Sequence, residues 1–160
     1  MNEFEKYKLM MCPVPDSCWY SNLRTALPPK IWDIIRRDAY ARAEGKCMIC
    51  GAKVKRLEAH EHWIYDEKNH VQKLGDVLAL CHNCHSVIHI GRTQLMGDED
   101  KAIKHFCKVN NCSYSDYIKA LGFANEKHRR LNAVYEWKLD VEIINGILKK
   151  YGINGWSPFG

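Results

Sequence analysis

The chain has little that would place it in a membrane or leave it without a core. None of its apolar runs approaches the roughly 20 residues that span a bilayer, which argues against a transmembrane helix. Its opening, Met1-Asn2-Glu3-Phe4-Glu5-Lys6, has neither the basic nor the apolar region of a secretory signal, so a cytoplasmic location is expected. No low-complexity tract or internal repeat is present, which excludes solenoid and disordered-tail architectures. A net charge of +5 is too small to name a partner by itself. Proline is scarce after the first 29 residues, where Pro13, Pro15, Pro28 and Pro29 confine irregular structure to an N-terminal arm. What remains, 160 residues with 46% hydrophobic and 27% charged, is enough for one buried core and short for two independent domains.

Cysteine, by contrast, is plentiful, and four of the eight are arranged as Cys47-x2-Cys50 and Cys81-x2-Cys84. A secreted disulfide framework is the competing reading, and the CxxC spacings with histidines beside them favour metal ligation instead. Four thiolates close a tetrahedral zinc site with no open position, so that zinc is structural and its binding energy is folding energy. Cys12, Cys18, Cys107 and Cys112 lack this spacing and read as buried or free thiols.

Helical spacing runs from Pro29 to about Glu44, with Gly45 as its stop and Arg36, Arg37 and Arg42 off the apolar stripe. Trp19, Tyr20 and Leu23 of the preceding arm are available to pack on a neighbouring surface. Between the CxxC pairs, Arg56–Glu61 and Val77–Leu80 read as paired strands with Trp63–Asp76 as a polar excursion. A short helix follows over His85–His89, ended by Gly91. Further helices are expected over Asp98–Val109, from Ser113 with a possible break at Gly122, and from about Asp140.

His85 and His89, four residues apart, project from one face of a helix and can share an ion. The first strand offers Glu58, His60, Glu61 and His62 as a third ligand; alternation puts Glu58, His60 and His62 on one face, which favours His60, and Glu61 on the other. Three protein ligands leave positions open, the mark of a catalytic metal site. Arg36, Arg37, Lys53, Lys55 and Arg56, with Arg42 and Lys46, bracket the first CxxC pair, and Lys127, Arg129 and Arg130 form a second cluster; a phosphate backbone is a plausible target for both.

The run Cys47-x2-Cys50, Leu57-Glu58-Ala59-His60-Glu61, Leu78-Ala79-Leu80-Cys81-x2-Cys84-His85-x3-His89 resembles the HNH endonuclease family, in its zinc-stabilised form with two CxxC pairs, as found in small bacterial and phage proteins. The resemblance covers residues 47–91 and implies an α+β, mostly helical fold. Its centre would be a ββα-metal (His-Me finger) module over 46–92, with an N-terminal arm and helix over 1–45 and C-terminal helices over 93–160, packed as one compact domain. It implies structural zinc on Cys47, Cys50, Cys81 and Cys84, and a second divalent ion (Mg, Mn, Ni or Zn) on His60, His85 and His89. The family's general-base position falls on Glu61 rather than histidine, with His62 next to it, and Asp76 falls nearest the family's bracing asparagine.

The expected activity is therefore single-metal hydrolysis of nucleic-acid phosphodiesters, with DNA as the expected substrate. The alternative is a catalytically weak or inactive module of the same fold that binds nucleic acid or a protein, such as a phage inhibitor of a host defence complex acting in the host cytoplasm. No membrane partner is expected, and both a monomer and a homodimer fit.

Overall fold

A computed structural model describes residues 2–18 and 22–156. The fold is α+β and mostly helical, with one small sheet. The arm carries two 3-10 turns, Glu3–Lys6 and Asp16–Cys18, and helix α1 (Leu23–Ala26), capped by the Asn22 side chain on the Thr25 N–H. Trp19 and Tyr20 lie outside the described residues. Helix α2 (Pro29–Ala43) begins on Pro29, whose fixed φ suits a first turn, and ends where Glu44 and Gly45 turn left-handed.

The hairpin is much longer than the sequence suggests. Strand β1 (Glu58–Asp66) pairs antiparallel with β2 (Val71–Leu80), so Trp63–Asp76 is largely strand and not a polar loop. Asp66 closes the turn by accepting the N–H groups of Lys68 and Asn69 at 3.1 and 2.9 Å. The register slips between His62 and Trp63, leaving Gly75 as an extra residue in β2. A Cβ at Gly75 would lie 2.8 Å from Ile64 Cδ1 and 3.3 Å from the His62 ring, so a larger residue there would push the half-exposed Ile64 side chain aside. Strand β3 (Lys138–Asp140), not foreseen, adds parallel to β2, which leaves β1 at the sheet edge.

The remaining helices are α3 (His82–Ile88), α4 (Ile90–Leu95), α5 (Glu99–Asn110), α6 (Tyr114–Asn132) and α7 (Ile143–Lys149). Gly91 does not stop a helix; it lies inside α4, and the break comes at His89, whose ψ of 53° separates α3 from α4. Gly122 does not interrupt α6, which starts at a full capping box between Ser113 and Asp116.

Two apolar clusters cover the two faces of the hairpin. Leu80 faces α3, α5 and α6 with Val87, Phe106 and Tyr117, and the arm joins this side through Leu9 and Met11. Val77, Ala79 and Leu74 face α2 and α7 with Ile35, Ala39, Ile144 and Leu148. The arm is pinned by Asn110, whose amide accepts from the Leu9 N–H at 3.0 Å and donates to its carbonyl at 2.8 Å. Helix α7 is pinned by buried Asp38, which takes Lys150 at 2.7 Å, the Tyr151 hydroxyl at 2.8 Å and Arg42 Nε at 3.0 Å.

Candidate metal centres and cleft

Cys47 and Cys50 sit on the turn after α2, and Cys81 and Cys84 on the junction of β2 and α3. The turn bends back through Gly51, at φ 76°, with Gly51 N–H on the Cys47 carbonyl at 2.9 Å and Cys47 N–H on the Ala52 carbonyl at 2.9 Å. Cys81 caps α3, its sulfur accepting from the Cys84 N–H at 3.4 Å. All four sulfurs lie within 4.8 Å of one another, and Cys50 and Cys81 are 3.8 Å apart. A zinc–sulfur bond of about 2.3 Å gives a tetrahedral sulfur–sulfur edge of about 3.8 Å, so the cluster has the size of a zinc site.

The electrostatics agree with that size. Burial raises the Cys47 thiol, but N–H groups of Cys50, Cys81 and Ile49 outweigh it and bring it down to about 7. Burial and the charge of Cys47 push Cys81 up to about 11, and burial with its three sulfur neighbours pushes Cys84 higher still. Four acidic groups held together in a partly dry site repel one another, and a bound dication reverses the sign of that interaction. His105 of α5 places Nε2 3.1 Å from Cys84 Sγ, a contact with no CxxC signature to announce it. All eight cysteines are free thiols in the structure. The four cysteines together could hold a structural metal ion such as zinc.

His60, His85 and His89 meet on the α3 side of the hairpin. Their nearest ring nitrogens lie within 4.8 Å of one another, and their ring centroids are 4.8 to 5.2 Å apart. His60 is 3% exposed, and its Nε2 has no hydrogen-bond partner among the described residues. Burial and the neighbouring imidazoles depress His60 to about 2, and burial, His85 and Arg92 depress His89 to about 4. Both are therefore neutral at pH 7, with lone pairs available to a cation. Glu58 sets the third ring: its Oε1 lies 2.8 Å from His85 Nδ1 and its Oε2 2.9 Å from His82 Nδ1. A carboxylate only accepts, so Nδ1 of His85 carries the proton and Nε2 is left free. Glu58 is thus an orienting group and not the third ligand; the signal for it was its place two residues before His60 on the same strand face.

Glu61 pairs with Val77 and lies on the α2 side of β1, opposite to the histidines. Its carboxylate accepts from the Leu23 N–H at 3.0 Å and from Trp63, and burial raises its pKa despite both bonds. His62 shares the His60 face, with ring centroids 6.4 Å apart, and burial lowers its pKa. Asp76 braces the hairpin against α2, receiving Arg42 Nη2 at 3.3 Å and its neighbour's Val77 N–H at 2.7 Å.

An open cleft of about 1230 Å³ runs along the free edge of β1; His60, His85 and His89 line it from one face of the strand and Glu61 from the other, and His62 does not line it. Of the basic residues singled out in the sequence, Arg36 and Arg56 border this cleft, while Arg37, Lys53 and Lys55 are exposed away from it. Arg24 and Arg92 also border it, and no cluster in the sequence pointed to them. Compared with protein-family models, curated proteins and solved structures, the chain matches none. No helix among the described residues is long and apolar enough to cross a membrane.

Proposed function

We propose that this chain is a metal-dependent endonuclease of the HNH type, hydrolysing phosphodiester bonds of nucleic acid, with DNA as its substrate. In this reading Cys47, Cys50, Cys81 and Cys84 hold structural zinc, and His60, His85 and His89 hold a second divalent ion. The observation that carries it is the buried, unpartnered Nε2 of His60, grouped with the rings of His85 and His89 in an arginine-bordered cleft. A nearly buried polar atom without a partner costs free energy unless something binds it.

When bound, the ion supplies charge neutralisation at the phosphate and leaving oxygen. The chain's own groups do the rest. Glu58 holds the His85 ring in the tautomer that presents Nε2. Arg24, Arg56 and Arg92 hold phosphate oxygens in the cleft. Glu61 accepts the proton of the attacking water as the water oxygen bonds to phosphorus and the bond to the leaving oxygen breaks. Burial makes its carboxylate a stronger base than an exposed one, and the Leu23 N–H and Trp63 fix its direction.

The test is plasmid nicking with Mg, Mn, Ni or Zn. Wild type should nick; His85→Ala and His89→Ala should not, with unfolding curves intact; and Glu61→Gln should lose about 10²-fold or more, the usual range for a general base. Intact plasmid at high protein concentration with every ion would end the reading. A second reading, a non-catalytic module of the same fold that binds nucleic acid or a protein, is favoured by the position of Glu61 across the strand from the histidines. It predicts binding that survives Glu61→Ala with His62→Ala, and no cleavage by the parent.

A further inference from the structure

The cleft along β1 carries a pattern that a metal site alone does not require. Trp32, Arg36 and Tyr40 of α2 all border it and are spaced four residues apart, so one broad face of the helix presents ring, guanidinium, ring. Successive members are displaced by about 6 Å along the helix axis. Base pairs in a duplex are stacked about 3.4 Å apart with their faces covered, so neither ring could reach a base face there. Unpaired bases can be splayed onto such platforms.

Four arginines, Arg24, Arg36, Arg56 and Arg92, border the cleft with three carboxylates, Asp33, Glu58 and Glu61, of which Glu58 is engaged by His82 and His85 and Glu61 by the Leu23 N–H. Arg36 is tied to Asp33 at 2.9 Å, but Arg24, Arg56 and Arg92 make no ion pair or side-chain hydrogen bond among the described residues. They come from α1, the segment before β1, and α4, so three elements place cations with no paired carboxylate around one recess. Free guanidiniums with interleaved aromatic faces form the combination that follows a phosphate backbone while stacking its bases.

We infer that the cleft takes a single-stranded stretch of nucleic acid, phosphates on Arg24, Arg56 and Arg92 and unpaired bases against Trp32 and Tyr40. This rests on the reading of the cleft as a nucleic-acid site and narrows its substrate to an unpaired strand.

The experiment measures binding of a fluorescent 15-nucleotide single strand and of its duplex by anisotropy, over a salt series and without added divalent ion. Cleavage of the plasmid and of the single strand, with divalent ion added, runs in parallel. The single strand should bind at least about tenfold tighter than the duplex. Trp32→Leu with Tyr40→Leu, which keeps apolar bulk but removes the rings, should weaken single-strand binding about tenfold or more, the loss expected of stacked aromatics. Arg24→Gln, Arg56→Gln and Arg92→Gln together are surface changes, and should reduce the slope of log affinity against log salt by about 2, at roughly 0.7 per phosphate contact. Duplex binding as tight as single-strand binding overturns the inference, as does an unchanged slope in the arginine variant. If the plasmid is nicked while duplex binds better, the inference falls and the nuclease reading stands. If the strand binds as expected and neither it nor the plasmid is cut when divalent ion is added, the nuclease reading falls and the inference stands.

Discussion

Replacing Cys50 by serine tests the cysteine cluster at its most accessible corner. Cys47, Cys81 and Cys84 are buried in the apolar cluster under α3, so changing them would mix lost ligation with lost packing. Cys50 is only partly buried and sits 3.8 Å from Cys81 Sγ, so serine there removes a ligand and little else. Structural zinc in small sites contributes about 10–16 kcal/mol, or roughly 3–4 kcal/mol per ligand. A domain has about 5–15 kcal/mol in all, so the loss is a large share of the total. At about 2–4 °C per kcal/mol for a chain of this size, Tm should fall by roughly 6–16 °C. Elemental analysis of the purified protein should find the metal displaced or weakly held in Cys50→Ser, and a chelator should lower the Tm of wild type toward that of the variant. As ordinary half-buried thiols the cysteines would give a change below about 1 kcal/mol and no chelator effect. A Cys50→Ser protein with wild-type Tm and metal content would refute the zinc site.

Three further outcomes are expected. Asp38→Asn should cost about 1–2 kcal/mol in denaturant unfolding, because it removes the charge that Lys150 and Arg42, both partly exposed, bond to. Burial opposes its ionisation, but Lys150, Tyr151 and Arg42 hold the carboxyl below its ordinary range; its stabilisation is therefore complete above the unfolded value near 4 and lost as pH falls through the lower folded one. The gap between wild type and Asp38→Asn should close along that path, and a gap unchanged at pH 2 would contradict it. Glu58→Gln should weaken divalent-ion binding at the histidines about 10–100-fold in calorimetric titration, because the amide no longer anchors His85 Nδ1 as a carboxylate does. His60→Leu should raise the metal-free Tm by removing a buried unpartnered nitrogen worth about 1–3 kcal/mol, while abolishing that ion's binding; a lower Tm would show that Nε2 is satisfied in solution.

Both side-chain clusters were legible because much of their spacing is local: CxxC fixes two sulfurs on one turn, and i, i+4 puts His85 and His89 on one side of α3. The hairpin's length was not legible, for two physical reasons. Along β1 the inward positions on the α3 side are Glu58, His60 and His62, so polar ligands stand where an apolar alternation would mark a strand. Along β2 the bulge at Gly75 reverses the pleat. Val77 and Ala79 face α2, and beyond the bulge it is even-numbered Leu74 that does so, which breaks the period-two pattern. Strand β3 is three residues long and gains its place by pairing with β2, a tertiary effect that no local propensity records. Glu58 and His105 carry no motif of their own; only the folded chain shows the rings and sulfur they address.

The two ligand clusters are joined through α3, so whatever favours one favours the other. Cys81 caps that helix, Cys84 lies in its first turn, and His85 follows directly, so clamping the sulfurs fixes the direction from which His85 and His89 approach His60. Leu78, three residues before Cys81, is the cross-strand partner of His60, which ties the third ligand to the same clamp. The cysteine cluster contains no group from β1, so it can close before the histidines are aligned. Loss of metal from the cysteines should therefore loosen the histidine site as well. Changing His60 should leave the cysteine site filled, because none of its four sulfurs comes from β1.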